Sequence, residues 1–155
     1  MDNNQISQVD ANKKQYIVVS IGNEQYGIDI HYVDNIVRMQ KITRVPKAQA
    51  YFKGIINLRG EVVPVMSIRL KMDLPDDEFT NATRIIILKI EQHGVLGIIV
   101  DEVKEVVTLS SNEIDKMTND VKDGKNSFIN GIGKHDGQLI SLLELNSIIS
   151  EKEVV

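Results

Sequence analysis

The chain has 155 residues, 42% of them hydrophobic, with 18 Lys and Arg against 22 Asp and Glu for a net charge of −4. That is enough apolar material for one ordinary domain or two small units sharing a core, and the acidic balance opposes general binding to nucleic-acid phosphates or anionic lipid. The absence of cysteine rules out disulfides, thiolate metal sites and thiol nucleophiles, and it agrees with a cytoplasmic location.

Residues 1–14 are polar, lack the apolar stretch of a signal peptide and are expected to be disordered. No later run is long enough to cross a bilayer. Strands are then predicted at Tyr16–Val19 and Tyr26–Ile30, followed by a brief helix over Ile30–Ile36, where Val33, Ile36 and Val37 recur at helical spacing. A second short helix is expected at Ala48–Phe52. Strands at Ile55–Leu58 and Val62–Val65 flank Asn57-Leu58-Arg59-Gly60, which reads as a β-hairpin closed by a type I turn. Asn57 can cap that turn and Gly60 tolerates positive φ. Arg59 stands at the tip, where a hairpin needs no arginine but a guanidinium is well placed to meet a partner. Pro64 places its strand at an edge or a bulge.

The acidic stretch Pro75-Asp76-Asp77-Glu78 reads as a solvated connection, and Asn81-Ala82-Thr83 as an ordinary loop. Strands follow at Arg84–Ile90, Val95–Val100, Val103–Leu109 and Gln138–Leu143, with a last helix near Leu143–Ser150. Lys122 to Lys125 reads as a loop, and Gly131-Ile132-Gly133 with Gly137 lacks dinucleotide-loop spacing and reads as part of a hairpin.

The two halves repeat one another. Tyr26-Gly27-Ile28, Val33, Ile36 and Val37 match Leu96-Gly97-Ile98, Val103, Val106 and Val107 at an offset of 70, and Gly54-Ile55, Gly60 and Val62-Val63 match Gly131-Ile132, Gly137 and Leu139-Ile140 at an offset of 77. Asp136 is the counterpart of Arg59. The duplication implies two similar units, residues 15–80 and 81–150, each too small to bury much alone and therefore packed together, with a groove between them and strand exchange allowed. Small β-barrels are the natural form for such short strands.

Chemistry is sparse. His31, His93 and His135 fall in no metal-ligand spacing, and neither a GxSxG elbow nor a P-loop is present. No catalytic residue, cofactor or metal is expected. Arg38, Lys41 and Arg44 are the nearest thing to a basic patch, and with three Phe, four Tyr and no Trp single-stranded nucleic acid is a disfavoured partner. Binding to protein, for instance to an amphipathic helix in the groove, remains.

Tyr26-Gly27-Ile28-Asp29-Ile30, Thr43-Arg44-Val45-Pro46, and Phe52-Lys53-Gly54-Ile55-Ile56-Asn57-Leu58-Arg59-Gly60 with Val63-Pro64-Val65 together resemble the bacterial chemotaxis coupling-protein family, CheW, over about residues 15–149. The resemblance implies a mainly β fold of two five-stranded SH3-like barrels around a shared core, and a non-catalytic cytoplasmic adaptor, monomeric when free and recruited to receptor arrays at the membrane. Its implied partners are the helical tips of chemoreceptors and the regulatory domain of the histidine kinase CheA, with neither nucleic acid nor membrane insertion. Carried over by position, Val33, Asn35, Gly54 and Arg59 face the receptor, while Asn57 and Gly60 hold the hairpin. Asn35 stands where the family usually has glutamate, which removes a charge. Kinase contacts are unassigned, with Ile114–Asp120 a candidate stretch. The chain ends at Val155 without room for a receiver or kinase domain, so a free-standing adaptor is expected. An adaptor of a non-flagellar chemosensory pathway and a nucleic-acid-binding barrel are the alternatives.

Overall fold

The computed structural model describes residues 12–91, 94–117 and 128–149. Among these residues eleven strands form two sheets: β1 Lys13–Ile21, β2 Glu24–Asp29, β3 Val33–Arg38, β4 Phe52–Leu58, β5 Glu61–Ser67, β6 Arg84–Ile90, β7 Gly94–Val100, β8 Glu102–Ser110, β9 Ile114–Lys116, β10 Ile129–His135 and β11 Gln138–Leu143. The helical elements given by the described residues are α1 Ile68–Lys71, α2 Leu145–Ile149 and two 3₁₀ turns, Ile30–Tyr32 and Ser111–Glu113. The mainly β fold anticipated from the sequence is the one observed.

The sheets have the orders β8-β1-β2-β11-β10-β9 and β3-β6-β7-β5-β4. Strands β6, β7, β8, β10 and β11 are the second copies of β1 to β5, so the first sheet without β9 repeats the order of the second strand for strand. The sheets do not divide at residue 80. Strands β3 to β7 make one, while β1, β2 and the strands from β8 onward make the other, and the chain crosses between them only at the 3₁₀ turn after β2 and at Asp101.

Both faces of each sheet are covered. Ile17, Val19 and Ile28 from one sheet meet Ile86, Leu88 and Ile98 from the other in a shared core, which Leu145, Ile148 and Ile149 of α2 close. On its other face each sheet curls around a cluster of its own: Tyr16, Val18, Val107, Leu109, Ile140 and Leu142 in the six-stranded sheet, and Ile56, Val63, Val65, Ile85, Ile87 and Ile99 in the five-stranded one. Val37 and Leu58, from strands at opposite edges, pack on that second cluster, so the sheet bends its edges toward one interior. The buried run Ile85–Leu88 reflects this double burial, since a strand covered on both sides has no need to alternate.

The duplicated glycines have a packing reason. Gly27 lies opposite Leu142 in a parallel pair, and Gly97 lies opposite Val65 in the equivalent one. A Cβ at Gly27 would come within 2.8 Å of Leu142 Cδ2, and one at Gly97 within 2.9 Å of Ile85 Cγ2. Gly27→Ala and Gly97→Ala are therefore each expected to lose about 1–3 kcal/mol by overpacking, read as a lower urea midpoint at unchanged m.

Four local expectations need correction. The segment Val33–Arg38 is a strand, its residues alternately half-buried and exposed, and only Ile30–Tyr32 winds into a 3₁₀ turn. Residues 48–51 are irregular and turn structure leading into β4, which begins at Phe52, and form no helix. Strand β1 begins at Lys13, inside the stretch expected to be disordered. Helix α1 was not foreseen: it is capped by Ser67, whose Oγ accepts the Leu70 N–H at 3.1 Å.

Candidate protein-binding site

The β4–β5 hairpin turns on two residues. Leu58 pairs with Glu61, and the residues between them, Arg59 and Gly60, have φ of 54° and 84°. Positive φ at both central positions makes this a type I′ turn, whose twist suits a hairpin, and not the type I turn expected. Asn57 still holds it, since the Gly60 N–H donates to Asn57 Oδ1 at 3.1 Å. The second hairpin is built alike, with φ of 49° at Asp136 and 75° at Gly137 between the paired His135 and Gln138.

A left-handed backbone costs an ordinary L-residue about 1–2 kcal/mol, less for Asp or Asn, whose short side chains bond locally. Arg59 has no such local bond to offer. It is exposed, and among the described residues its guanidinium has no hydrogen-bond or ion-pair partner. Just beyond it Val62 is 63% exposed, matched beyond the second turn by Leu139 at 64%.

The other three residues of the expected site are frame more than contact. Val33 opens β3 and packs, half-buried, on the shared core. Asn35 is half-buried beside a bulge in β3, and its Oδ1 accepts the Ile36 N–H at 2.8 Å. Gly54 is buried in β4 with φ of 138°, and a Cβ there would lie 2.1 Å from the Thr43 carbonyl oxygen. Strands β3 and β4 are opposite edges of their sheet, so ladder pairing does not join Val33 and Asn35 to Gly54 and Arg59.

The loop before β4 is tied along its length. Thr43 and Ile55 exchange two backbone hydrogen bonds, each 2.8 Å, the Ser67 N–H donates to the Tyr51 carbonyl at 2.7 Å, and Lys71 Nζ lies 4.1 Å from the centroid of the Tyr51 ring. The acidic connection is exposed at Pro75, Asp76 and Glu78, as expected of a solvated stretch, but it is anchored at Asp76 and at the half-buried Asp77. Lys53 pairs with Asp76 at 2.6 Å, and its hydrogen bond is the main reason the Asp76 carboxyl is held below the usual range. Ser67 Oγ donates to Asp77 Oδ2 at 2.5 Å, while burial pushes the Asp77 pKa up and leaves Oδ1 without a partner.

Among the described residues, no three His, Asp or Glu side chains converge as metal ligands. His31 is exposed, His135 lies 3.5 Å from Asp136, and His93 lies outside the described residues. Of the stretch suggested for kinase contacts, Ile114–Lys116 forms β9 at the edge of the six-stranded sheet, and residues 118–120 lie outside the described residues.

The profile of the CheW-like domain family matches residues 15–153. Chemotaxis protein CheW of Bacillus subtilis is 34% identical over 139 residues, covering 90% of this chain and 88% of its own. Chemotaxis protein CheW of Helicobacter pylori is 31% identical over 137 residues, covering 88% and 82%. Among solved structures, the scaffolding protein TtCheW from Thermoanaerobacter tengcongensis superposes with a TM-score of 0.79 at 31% identity, covering 88% of each chain.

Proposed function

The chain belongs to the CheW-like domain family, and from that premise we propose that it is a non-catalytic adaptor coupling chemoreceptor tips to the regulatory domain of the histidine kinase CheA. The observation that carries this reading is Arg59: an exposed arginine held in left-handed backbone at a rigid tip, without an intramolecular partner among the described residues. A strained residue that the turn itself does not require points to a contact outside the chain. An arginine fork of this kind suits a carboxylate or amide on a partner helix.

In this reading the receptor tip contacts the hairpin edge at Arg59, while Val33, Asn35 and Gly54 shape the sheet that carries it, and the kinase domain takes a separate surface. Asn35 carries no charge, so Arg59 supplies the charged contact of that edge. The adaptor changes kinase activity only through unequal affinity for the kinase's active and inactive arrangements. No described helix is long and apolar enough to cross a membrane, and placement at receptor arrays through the two partners is part of the same proposal. The same geometry would serve a chemosensory pathway that does not drive flagella.

Arg59→Glu is expected to weaken binding of a receptor tip at least tenfold, about 1.4 kcal/mol, while binding of the CheA regulatory domain and the thermal midpoint stay unchanged. Pulldowns with each partner from the same genome read this directly. Normal binding to both partners, or a loss confined to the kinase domain, would remove Arg59 from the receptor-facing edge.

A further inference from the structure

Residues 35–60 hold six of the 18 Lys and Arg of the chain and none of its 22 Asp and Glu. The remaining residues hold 12 Lys and Arg against 22 Asp and Glu, so the net negative charge lies outside this segment. Within that segment Arg38, Lys41, Arg44, Lys47 and Arg59 are all exposed, and among the described residues none of the five has a carboxylate partner. The exception is Lys53, neutralised by Asp76.

The loop also borders a concavity. An open cleft of about 950 Å³ is lined by Arg44, Val45, Lys47, Phe52 and Leu70, with the Lys53–Asp76 pair among its lining residues. Val45 is 37% exposed, and Phe52 and Leu70 are half-buried, so the cleft offers apolar surface beside two free cations. The Thr43–Ile55 hydrogen bonds and the Tyr51 contacts fix the loop before any partner arrives, which lowers the ordering cost of binding.

We infer that this loop is a docking surface for an acidic protein segment that sets an apolar side chain into the cleft and its carboxylates against Arg44 and Lys47. A single-signed patch on a molecule of opposite net charge steers oppositely charged partners and turns away like-charged ones. The concave apolar surface favours a protein segment over a membrane, which would be met better by protruding apolar side chains. It favours protein over single-stranded nucleic acid as well, since Phe52 is half-buried and the Tyr51 ring is engaged by Lys71, leaving the cleft without a stacking platform. The identity of the partner rests on the adaptor reading; the chemistry of the surface does not.

The test titrates the full chain with the receptor tip and with the CheA regulatory domain at 50 and 300 mM NaCl. It compares wild type, Arg44→Glu with Lys47→Glu, and Lys89→Glu with Lys104→Glu as a control of equal net charge on other strands. Circular dichroism confirms folding, and phosphatidylglycerol vesicles and a single-stranded oligonucleotide are run alongside. The expected result is that one protein partner loses at least tenfold in affinity with the loop reversal, keeps it with the control, and binds wild type more weakly at the higher salt. Equal binding by wild type and loop variant, an equal loss in the control, or tight binding to vesicles or oligonucleotide in place of protein would overturn the inference. If wild type binds neither protein at either salt, the adaptor reading fails first.

Discussion

Gly54→Ala is expected to lose about 3 kcal/mol or more of stability. Two effects add. The backbone at Gly54, with φ of 138°, lies where side-chain-bearing residues cost about 1–3 kcal/mol. The new methyl would also meet the Thr43 carbonyl oxygen at 2.1 Å, and because that atom is backbone, relief requires moving the loop, at about another 1–3 kcal/mol for overpacking. Gly22→Ala is the matched control: φ there is 65°, with nothing within 4 Å of the added carbon, so only the backbone cost of about 1–2 kcal/mol applies. Urea denaturation of both variants separates the two effects, and similar midpoints would show that the loop yields freely. The displaced loop carries Arg44 and Lys47, so Gly54→Ala is further expected to impair partner binding although Gly54 is buried and presents no side chain.

Asp101→Ala is expected to lose about 2–3 kcal/mol, in the range for charged hydrogen bonds broken in a partly buried setting. Asp101 occupies one of the two crossings between sheets. Its oxygens accept Arg69 Nε at 2.9 Å and Nη2 at 2.5 Å, from α1 beside the five-stranded sheet, and the Gly22 N–H at 2.8 Å, from the β1–β2 turn of the other. The carboxylate thus pins one sheet to the other. Burial alone would raise its pKa, but the bonds from Arg69 and Gly22 outweigh burial and the pKa is lowered. Stability from ionised Asp101 is accordingly complete above the unfolded value of about 3.9 and is lost as pH falls through the lower folded value. Wild type should lose its advantage over Asp101→Ala below about pH 4. Asp77, with a raised pKa, titrates with the opposite sign, which is why the difference between the two proteins is the informative curve. A difference independent of pH down to 2 would contradict the ionic origin.

The repeat was legible because burial imposes the same demand twice. Gly27 and Gly97 must admit Leu142 and Val65 from parallel neighbours, and Gly60 and Gly137 must hold positive φ, so glycine recurs whatever else drifts. Which strands join which sheet was not legible, because the two copies present equivalent edges and either partner satisfies the same ladder. Strand β3 was misread because its pattern is inverted locally: Asn35 is half-buried and Ile36 is 36% exposed. With a polar residue inside and an aliphatic one outside, Val33, Ile36 and Val37 imitate a helical face. Helix α1 is four residues long, too short for any period, though its Ser67 cap was there to read. Within the site, Arg59 and its Asn57 support were visible as a hairpin tip, whereas the burial of Gly54 depends on Thr43, eleven residues earlier, and no local pattern signals it.

An adaptor acts through being held by two partners at once, so the most direct measurement asks whether this chain bridges them. Immobilised receptor tip is incubated with the CheA regulatory domain, with and without the protein, and retained kinase domain is quantified as protein concentration rises. The account predicts retention that depends on the protein, rises and then falls as excess adaptor saturates each partner separately, and is abolished by Arg59→Glu. Retention of the kinase domain that the protein leaves unchanged, or that falls from the first addition because the two partners compete for one surface, would contradict it.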